Sequence, residues 1–300
     1  MKRLFVCLVL GCAGLALAPE MFGTAAAQQK PLRVIAFGAH PDDAELKAAG
    51  VAAMWAAAGH SVKFVSMTNG DIGHFGTAGG PLARRRAAEV AECAKILGIT
   101  TEVLDIHDGE LMPTLENRKT VARLIRDWQA DIVMGHRRWD YHPDHRYTGE
   151  LLDDSAVVVV APFFVPDTLP TPRNPVYMYY SDNFQEPTPF KPAIVVGIDE
   201  AAEKKWQCVS AMPSQFADAD SWQGRTVVNV PKDERERASY LLEMVKKRNM
   251  AVAELYREQL VALYGAERGR KVQYAEAFQL GQYGRQAPVD ELKKMFPGIP

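Results

Sequence analysis

The sequence predicts an α/β fold with a mostly parallel sheet and helices on both faces. Three observations predict it. Strand-like and helix-like segments alternate from residue 33 to residue 135. The first strand-like segment, Val34-Ile35-Ala36-Phe37, is a continuous apolar run, as a sheet covered on both faces requires. The helical patterns before Gly59 and Gly98 each stop at a glycine, a common helix terminator.

Taken in order, residues 33–38 read as a buried strand and 43–59 as a helix with Gly59 at its end. Residues 62–67 form the next strand, and 82–97 a helix closed by Gly98. A short strand at 102–106, a helix at 117–128 and a fourth strand at 131–134 complete a βαβαβαβ series. In such sheets ligands bind outside the carboxyl ends of the strands. His40 and the loop from Gly135 to His145 both fall there. Between Pro162 and Pro192 there are eight prolines, which block regular helix and central strand, so that span reads as irregular chain around one strand at 176–180. Residues 193–198 read as a further strand, 199–210 as helical, and 232–264 as one long helix rich in paired charges.

The first residues read as a leader. Lys2 and Arg3 precede an apolar stretch from Leu4 to Ala18, and small residues follow to Ala25-Ala26-Ala27. That is the layout of a secretory signal peptide, with cleavage expected after Ala27 and one domain over 28–300. The apolar run is short for a spanning helix, which needs roughly 20 residues, so no stable membrane insertion is expected after cleavage. Gly11-Cys12 offers a lipoprotein alternative, but Leu10 fits a lipidation box poorly. The expected location is periplasmic or secreted. Only Cys93 and Cys208 lie beyond the leader; a disulfide or two buried thiols both fit, and the helical pattern around Cys93 suits thiols at least as well. A hydrophobic content of 47% and a charged content of 24% describe an ordinary globular chain. The net charge of −2 carries no basic excess and argues against nucleic acid or an anionic membrane as partner. Oligomeric state leaves no mark on the sequence.

Two clusters carry chemistry. His40-Pro41-Asp42-Asp43 sits where the first strand stops and a helix starts, and His142-Pro143-Asp144-His145 follows the fourth strand, before a helix expected near Tyr147. The plain reading of the first is a good helix start, with proline and acidic residues in the first turn. The histidine adds to that. His40 and Asp43 lie three apart across a strand–helix corner, so both side chains can reach one spot, leaving Asp42 free. Together the clusters supply two histidines and a carboxylate, with a carboxylate and a histidine to spare. A catalytic zinc site uses three protein ligands and an open position, and the spare groups suit a general base and an oxyanion stabiliser. Asp144 could hold one imidazole by its second nitrogen.

Ala39-His40-Pro41-Asp42-Asp43-Ala44-Glu45 and His142-Pro143-Asp144-His145 resemble the motifs of the LmbE-like, or PIG-L, zinc-dependent N-deacetylases. Thr68-Asn69-Gly70-Asp71, Arg86-Ala87-Ala88-Glu89, Asp108-Gly109, Ser214-Gln215 and Tyr274-Ala275-Glu276-Ala277-Phe278 fit as well. The resemblance implies that His40, Asp43 and His145 bind zinc, with Fe2+, Co2+ or Mn2+ as possible substitutes. It implies that Asp42 is the general base toward a metal-bound water, and that protonated His142 stabilises the oxyanion or protonates the leaving amine. Asp144 would orient His142, and Asp71, Arg86 and Asp108 would lie near the substrate. Two departures are visible. The loop 72–81 is glycine-rich and carries His74 and Phe75, and Ala211-Met212-Pro213 precedes Ser214 where relatives often have histidine nearby.

The expected protein is therefore a Rossmann-like hydrolase removing an N-acetyl group from an N-acetylglucosamine-type sugar or glycoconjugate. Two histidines and a carboxylate also describe a non-haem iron oxygenase, which the α/β alternation and the spare Asp42 disfavour. A metal- or sugar-binding module without turnover is the other rival. A dinucleotide site is disfavoured, because no Gly-x-Gly-x-x-Gly follows the first strand. Trp139 and Tyr141 could stack on a sugar or pack at a loop edge, Arg84-Arg85-Arg86 reads as a solvated helix face, and His60, His107 and His136 read as structural.

Overall fold

The computed structural model describes residues 30–300. The expected leader and its cleavage after Ala27 lie outside the described residues. The sheet strands are β1 (Arg33–Gly38), β2 (Ser61–Ser66), β3 (Thr100–Val103), β4 (Ile132–Gly135), β5 (Val176–Tyr180), β6 (Ile194–Gly197) and β7 (Ala275–Gly284). The helices are α1 (Asp43–Ala57), α2 (Gly80–Leu97), α3 (Leu115–Trp128), α4 (Pro143–Val158), α5 (Ala202–Ser210), α6 (Pro213–Phe216), α7 (Trp222–Thr226), α8 (Glu234–Leu255), α9 (Arg257–Tyr264), α10 (Ala266–Lys271) and α11 (Val289–Met295).

The strands pair in the order β3-β2-β1-β4-β5-β7-β6. Contacts from β3 through β5 are parallel, and β7 runs antiparallel to both neighbours. The side-chain period of two divides the core cleanly. Val34 and Ala36 of β1 pack with α1, α2 and α5 on one face, while Ile35 and Phe37 pack with α3 and α4 on the other. Helices thus cover both faces, as expected.

Several boundaries differ from the sequence expectation for physical reasons. The third strand begins at Thr100, because its ladder runs from Lys63↔Thr100 to Ser66↔Val103. Helix α3 begins at Leu115, because Thr114 caps it by accepting the Asn117 N–H. Helix α4 begins at Pro143 rather than near Tyr147, with His142 as its cap. The long C-terminal helix is broken at Tyr256, which leaves helical geometry (φ −111°, ψ 28°). Strand β7 was not anticipated. Its glycines and glutamines weaken a strand pattern, yet Ala275, Ala277 and Phe278 are fully buried between β5 and β6.

Three buried devices tie the layers together. Lys205 and Glu276 form an enclosed ion pair at 2.7 Å, and Glu276 also accepts the N–H groups of Gly50 and Val51, joining β7 and α5 to α1. Arg126 donates to the carbonyls of Val158, Val159 and Val165, tying the end of α4 to the chain that follows it. Cys93 of α2 and Cys208 of α5 are joined as a disulfide, which decides between the two alternatives left by the sequence. Among the described residues no helix is long and apolar enough to cross a membrane.

Candidate metal centre

Strands β1 and β4 are neighbours although α1 to α3 separate them in the chain, so the loops after them open side by side at the carboxyl edge of the sheet. Strand order turns back at this point, where α/β sheets form their crevices. Loop 39–42 delivers the first cluster and loop 136–142 the second.

The turn at His40 closes on itself. The His40 carbonyl accepts the Asp42 and Asp43 N–H groups, and the Asp43 carboxylate accepts the His40 N–H at 2.8 Å. This locks Asp43 pointing back into the crevice. There, His40 Nδ1 lies 3.3 Å from His145 Nε2 and 3.5 Å from Asp43 Oδ2, and His145 Nε2 lies 3.4 Å from Asp43 Oδ1. Ligands at about 2.0–2.1 Å around a tetrahedral zinc ion stand about 3.3–3.4 Å apart. The outward nitrogens face carboxylates: His40 Nε2 faces Asp108 Oδ1 at 3.1 Å and Asp144 Oδ2 at 3.2 Å, and His145 Nδ1 faces Asp140 Oδ1 at 3.1 Å. A carboxylate at the far nitrogen holds the proton there and turns the lone pair inward, as metal-binding imidazoles require. Two lone pairs and a carboxylate converging in a buried spot fit a divalent cation.

Asp42 is different. It lines the cleft and no side-chain hydrogen bond ties it among the described residues. Burial, together with the adjacent charge of Asp43, pushes its carboxyl up to about 6. His142 also faces the cleft, its ring 4.6 Å from that of His40. Its Nδ1 accepts the Asp144 N–H at 3.2 Å, so a neutral ring carries its proton on Nε2. Burial and the neighbouring His40 and His145 lower its pKa. In that tautomer the Nε2–H of His142 is the donor that the ring offers to the cleft.

Other expected roles change. The Asp144 carboxylate does not orient His142: it faces His40 and accepts the Gly109 N–H at 2.7 Å. Asp71 is buried away from the cleft, with Oδ2 2.6 Å from His107 Nδ1 and Oδ1 accepting the Asp108 N–H. It shapes the loop that carries Asp108. Asp108 lines the cleft but its nearest partner is His40. Arg86 also lines the cleft, with its guanidinium donating to the Gly70 and Gly73 carbonyls and to Gln215 Oε1. A Cβ at Gly70 or Gly73 would stand 2.7 Å from that guanidinium, and Gly70 also has a positive φ of 68°, which favours glycine.

His136, read as structural from the sequence, belongs to the site. Its ring stacks on His145 at 4.2 Å, and its Nε2 lies 3.3 Å from Asp43 Oδ2. Its position at the end of β4 was the available signal. Asp140, Lys47, Trp222 and Arg248 were also missed. Asp140 had a signal in its place two residues before His142, and Lys47 in its place one turn after Asp43 on α1; Trp222 and Arg248 reach the cleft only through tertiary packing. The cleft holds about 500 Å³. Its rim includes Ile72, Tyr141 and Trp222, with Phe75 stacked against Trp222 at 5.5 Å. The glycine-rich loop is thus a cleft wall, pinned by a His74↔Ser221 bridge.

The family described as PIG-L, GlcNAc-PI de-N-acetylase, matches residues 35–156, which include both histidine clusters. A diacetylchitobiose deacetylase of Thermococcus kodakarensis is 30% identical over 202 residues, covering 64% of this chain and 72% of that protein. The structure of an N,N'-diacetylchitobiose deacetylase from Pyrococcus horikoshii, complexed with an inhibitor, superposes with a TM-score of 0.63 at 26% identity, covering 83% of each chain. A 4-carboxy-2-hydroxymuconate hydratase from Pseudomonas putida has a TM-score of 0.66 at 17% identity, covering 85% of this chain and 98% of that one. That last likeness concerns the fold alone, and it shows that this fold does not by itself determine a reaction.

Proposed function

The chain belongs to the PIG-L family, and from that premise we propose that it is a metal-dependent N-deacetylase acting on an N-acetylglucosamine-type sugar or glycoconjugate. The observation that carries the reading is the convergence of His40 Nδ1, Asp43 and His145 Nε2 beside an untied Asp42. His40, Asp43 and His145 would hold the ion, with zinc the first choice for two imidazoles and a carboxylate. A divalent ion there supplies a Lewis acid that polarises the amide carbonyl and makes water more acidic.

The chain supplies the rest. Asp42 takes a proton from water as it attacks the acetamide carbon, and its raised pKa makes it a better base than an ordinary carboxylate. His142, protonated at Nε2, donates a hydrogen bond to the oxygen on which charge develops. Asp108 and Asp144 hold His40, and Asp140 holds His145. The exposed Tyr141 and Trp222 at the rim offer flat apolar faces to a sugar ring. Collapse of the addition product breaks the C–N bond as Asp42 returns its proton to the leaving nitrogen, giving acetate and a free amino sugar.

The test is acetate release from N,N'-diacetylchitobiose, under nitrogen, by metal-stripped protein before and after each divalent ion is restored. Ion-dependent acetate release is expected. Turnover that requires oxygen would favour the oxygenase reading instead. The leader and the Cys93–Cys208 disulfide support a periplasmic or secreted location. N-terminal sequencing of the exported protein, with Gln28 expected first, checks that part.

A further inference from the structure

The Asp42 carboxylate has no side-chain hydrogen bond to aim it among the described residues, so its direction is set by the backbone that carries it. The Pro41–Asp42 peptide is held at both ends. Its N–H donates to the His40 carbonyl at 2.9 Å. Its carbonyl stands before the ladder of α1, which begins with the Leu46 N–H on the Asp42 carbonyl at 2.8 Å. That Pro41 carbonyl instead accepts the Gln215 Nε2 amide at 2.9 Å. The first bond is local to the turn, whereas the second comes from α6, 174 residues away in the chain.

Gln215 is buried, and its other end, Oε1, accepts the Arg86 guanidinium at 2.9 Å. A guanidinium only donates and a carbonyl only accepts, so a single orientation of this amide satisfies both. Glutamate at this position would lack the donor, and methionine would have neither an N–H nor a carbonyl. The support is stiff on both sides. Arg86 is fixed by the Gly70 and Gly73 carbonyls. Ser214, next to Gln215, bonds Glu89 of α2 through its N–H at 3.0 Å and through its hydroxyl. One turn beyond Glu89, Cys93 ties α2 to Cys208 of α5, the helix that leads into α6. Gln215 therefore meets the His40-Pro41-Asp42 turn from a fixed place.

We propose that Gln215 is a positioning residue for the reaction: its amide locks the Pro41–Asp42 peptide against Arg86 and so sets the aim of the Asp42 carboxylate. It acts through Asp42 rather than on the acetamide. The inference rests on the deacetylase reading and deepens it.

The experiment measures kcat and KM for acetate release from N,N'-diacetylchitobiose by the metal-reconstituted protein, with metal content by elemental analysis and thermal unfolding alongside. Gln215→Met removes both bonds. Gln215→Glu keeps an acceptor for Arg86 but cannot donate to the Pro41 carbonyl. In both, kcat is expected to fall about 100-fold, the cost of a misplacement of about 1 Å, while KM and metal content stay at wild-type values. A double-mutant cycle separates aim from general support. With Asp42→Asn already in place, either change at Gln215 is expected to lower kcat no further, because the carboxylate it would misplace is gone. If Gln215→Met does not fold, Gln215→Glu carries the cycle. Wild-type kcat in Gln215→Glu, a raised KM with kcat unchanged, or loss of metal overturns the positioning role and leaves the deacetylase reading standing. So does an equal loss in both backgrounds, or failure of both variants to fold. Absence of acetate from the wild-type protein with every restored ion overturns that reading and this role with it.

Discussion

The two His-Pro-Asp turns look alike in the sequence but are built differently in the fold. Each follows a parallel strand and opens a helix. In the first, the chain passes two more residues before α1 begins, so His40 stands outside the helix and Asp42 occupies the cap position without bonding to it. In the second, the helix starts one residue after His142, whose own Nδ1 caps it. The shift changes the fate of the aspartate after each proline. Asp42 ends at the cleft with no partner, whereas Asp144 is wholly enclosed and bound to His40 and the Gly109 N–H. The Asp42 carboxylate is free to move a proton, while the Asp144 carboxylate holds His40 and the Gly109 N–H through Oδ2. The same tripeptide therefore supplies a reactive group in one turn and a support in the other.

This contrast can be broken most directly at the ion. His145→Ala removes a converging nitrogen, and metal content by elemental analysis is expected to fall to background along with activity. Full occupancy would exclude His145 as a ligand. Asp42→Asn comes next: bound metal is expected to stay at the wild-type level while kcat drops by about 10²–10⁴, the usual contribution of a positioned acid or base. Wild-type turnover in that variant would end the assignment of the first aspartate as base.

His142 separates capping from chemistry. His142→Ala is expected to lower kcat by about 10²–10³ through loss of an oxyanion donor and to cost about 1 kcal/mol of stability through loss of the cap. His142→Asn keeps a capping oxygen, so denaturant unfolding should return toward wild type while kcat stays low. Recovery of both together would mean that His142 acts only as a cap. The smallest effect is expected at Asp144→Asn, since loss of a carboxylate behind a metal-binding imidazole typically weakens metal affinity about 10–100-fold. Competition with a chelator measures it, and a variant that loses turnover at saturating metal would show that the second aspartate does more than hold His40.

The sequence exposed much of this arrangement and concealed a definite part. The strand–helix alternation, the helix stops at Gly59 and Gly98 and the irregular proline-rich span were readable because they reflect period, propensity and missing N–H groups over a few residues. Strand β7 was not, because Glu276 and its glutamines disguise a strand whose burial comes from β5 and β6 on either side. The break at Tyr256 was hidden by charge pairs that continue the helical pattern across it. In the site, His40, Asp43 and His145 stood out by residue type and strand-end position. His136 did not, since one histidine at a strand end reads equally well as packing. Lys47, one turn after Asp43 on α1, shares its helix face, whereas Trp222 and Arg248 give no local sign of where they point.

What the sequence determined by itself is the class of fold and the supply of chemistry: a parallel sheet between helices, with histidines and aspartates at two strand ends. Those features arise from interactions between residues near one another in the chain. The tertiary structure alone decided how the carboxylates divide their work. His40 and Asp144 are 104 residues apart and meet at 3.2 Å because β1 and β4 are neighbours in the sheet. Which acid faces the ion, which steadies an imidazole and which stays free depends on that long-range pairing, and no local pattern encodes it.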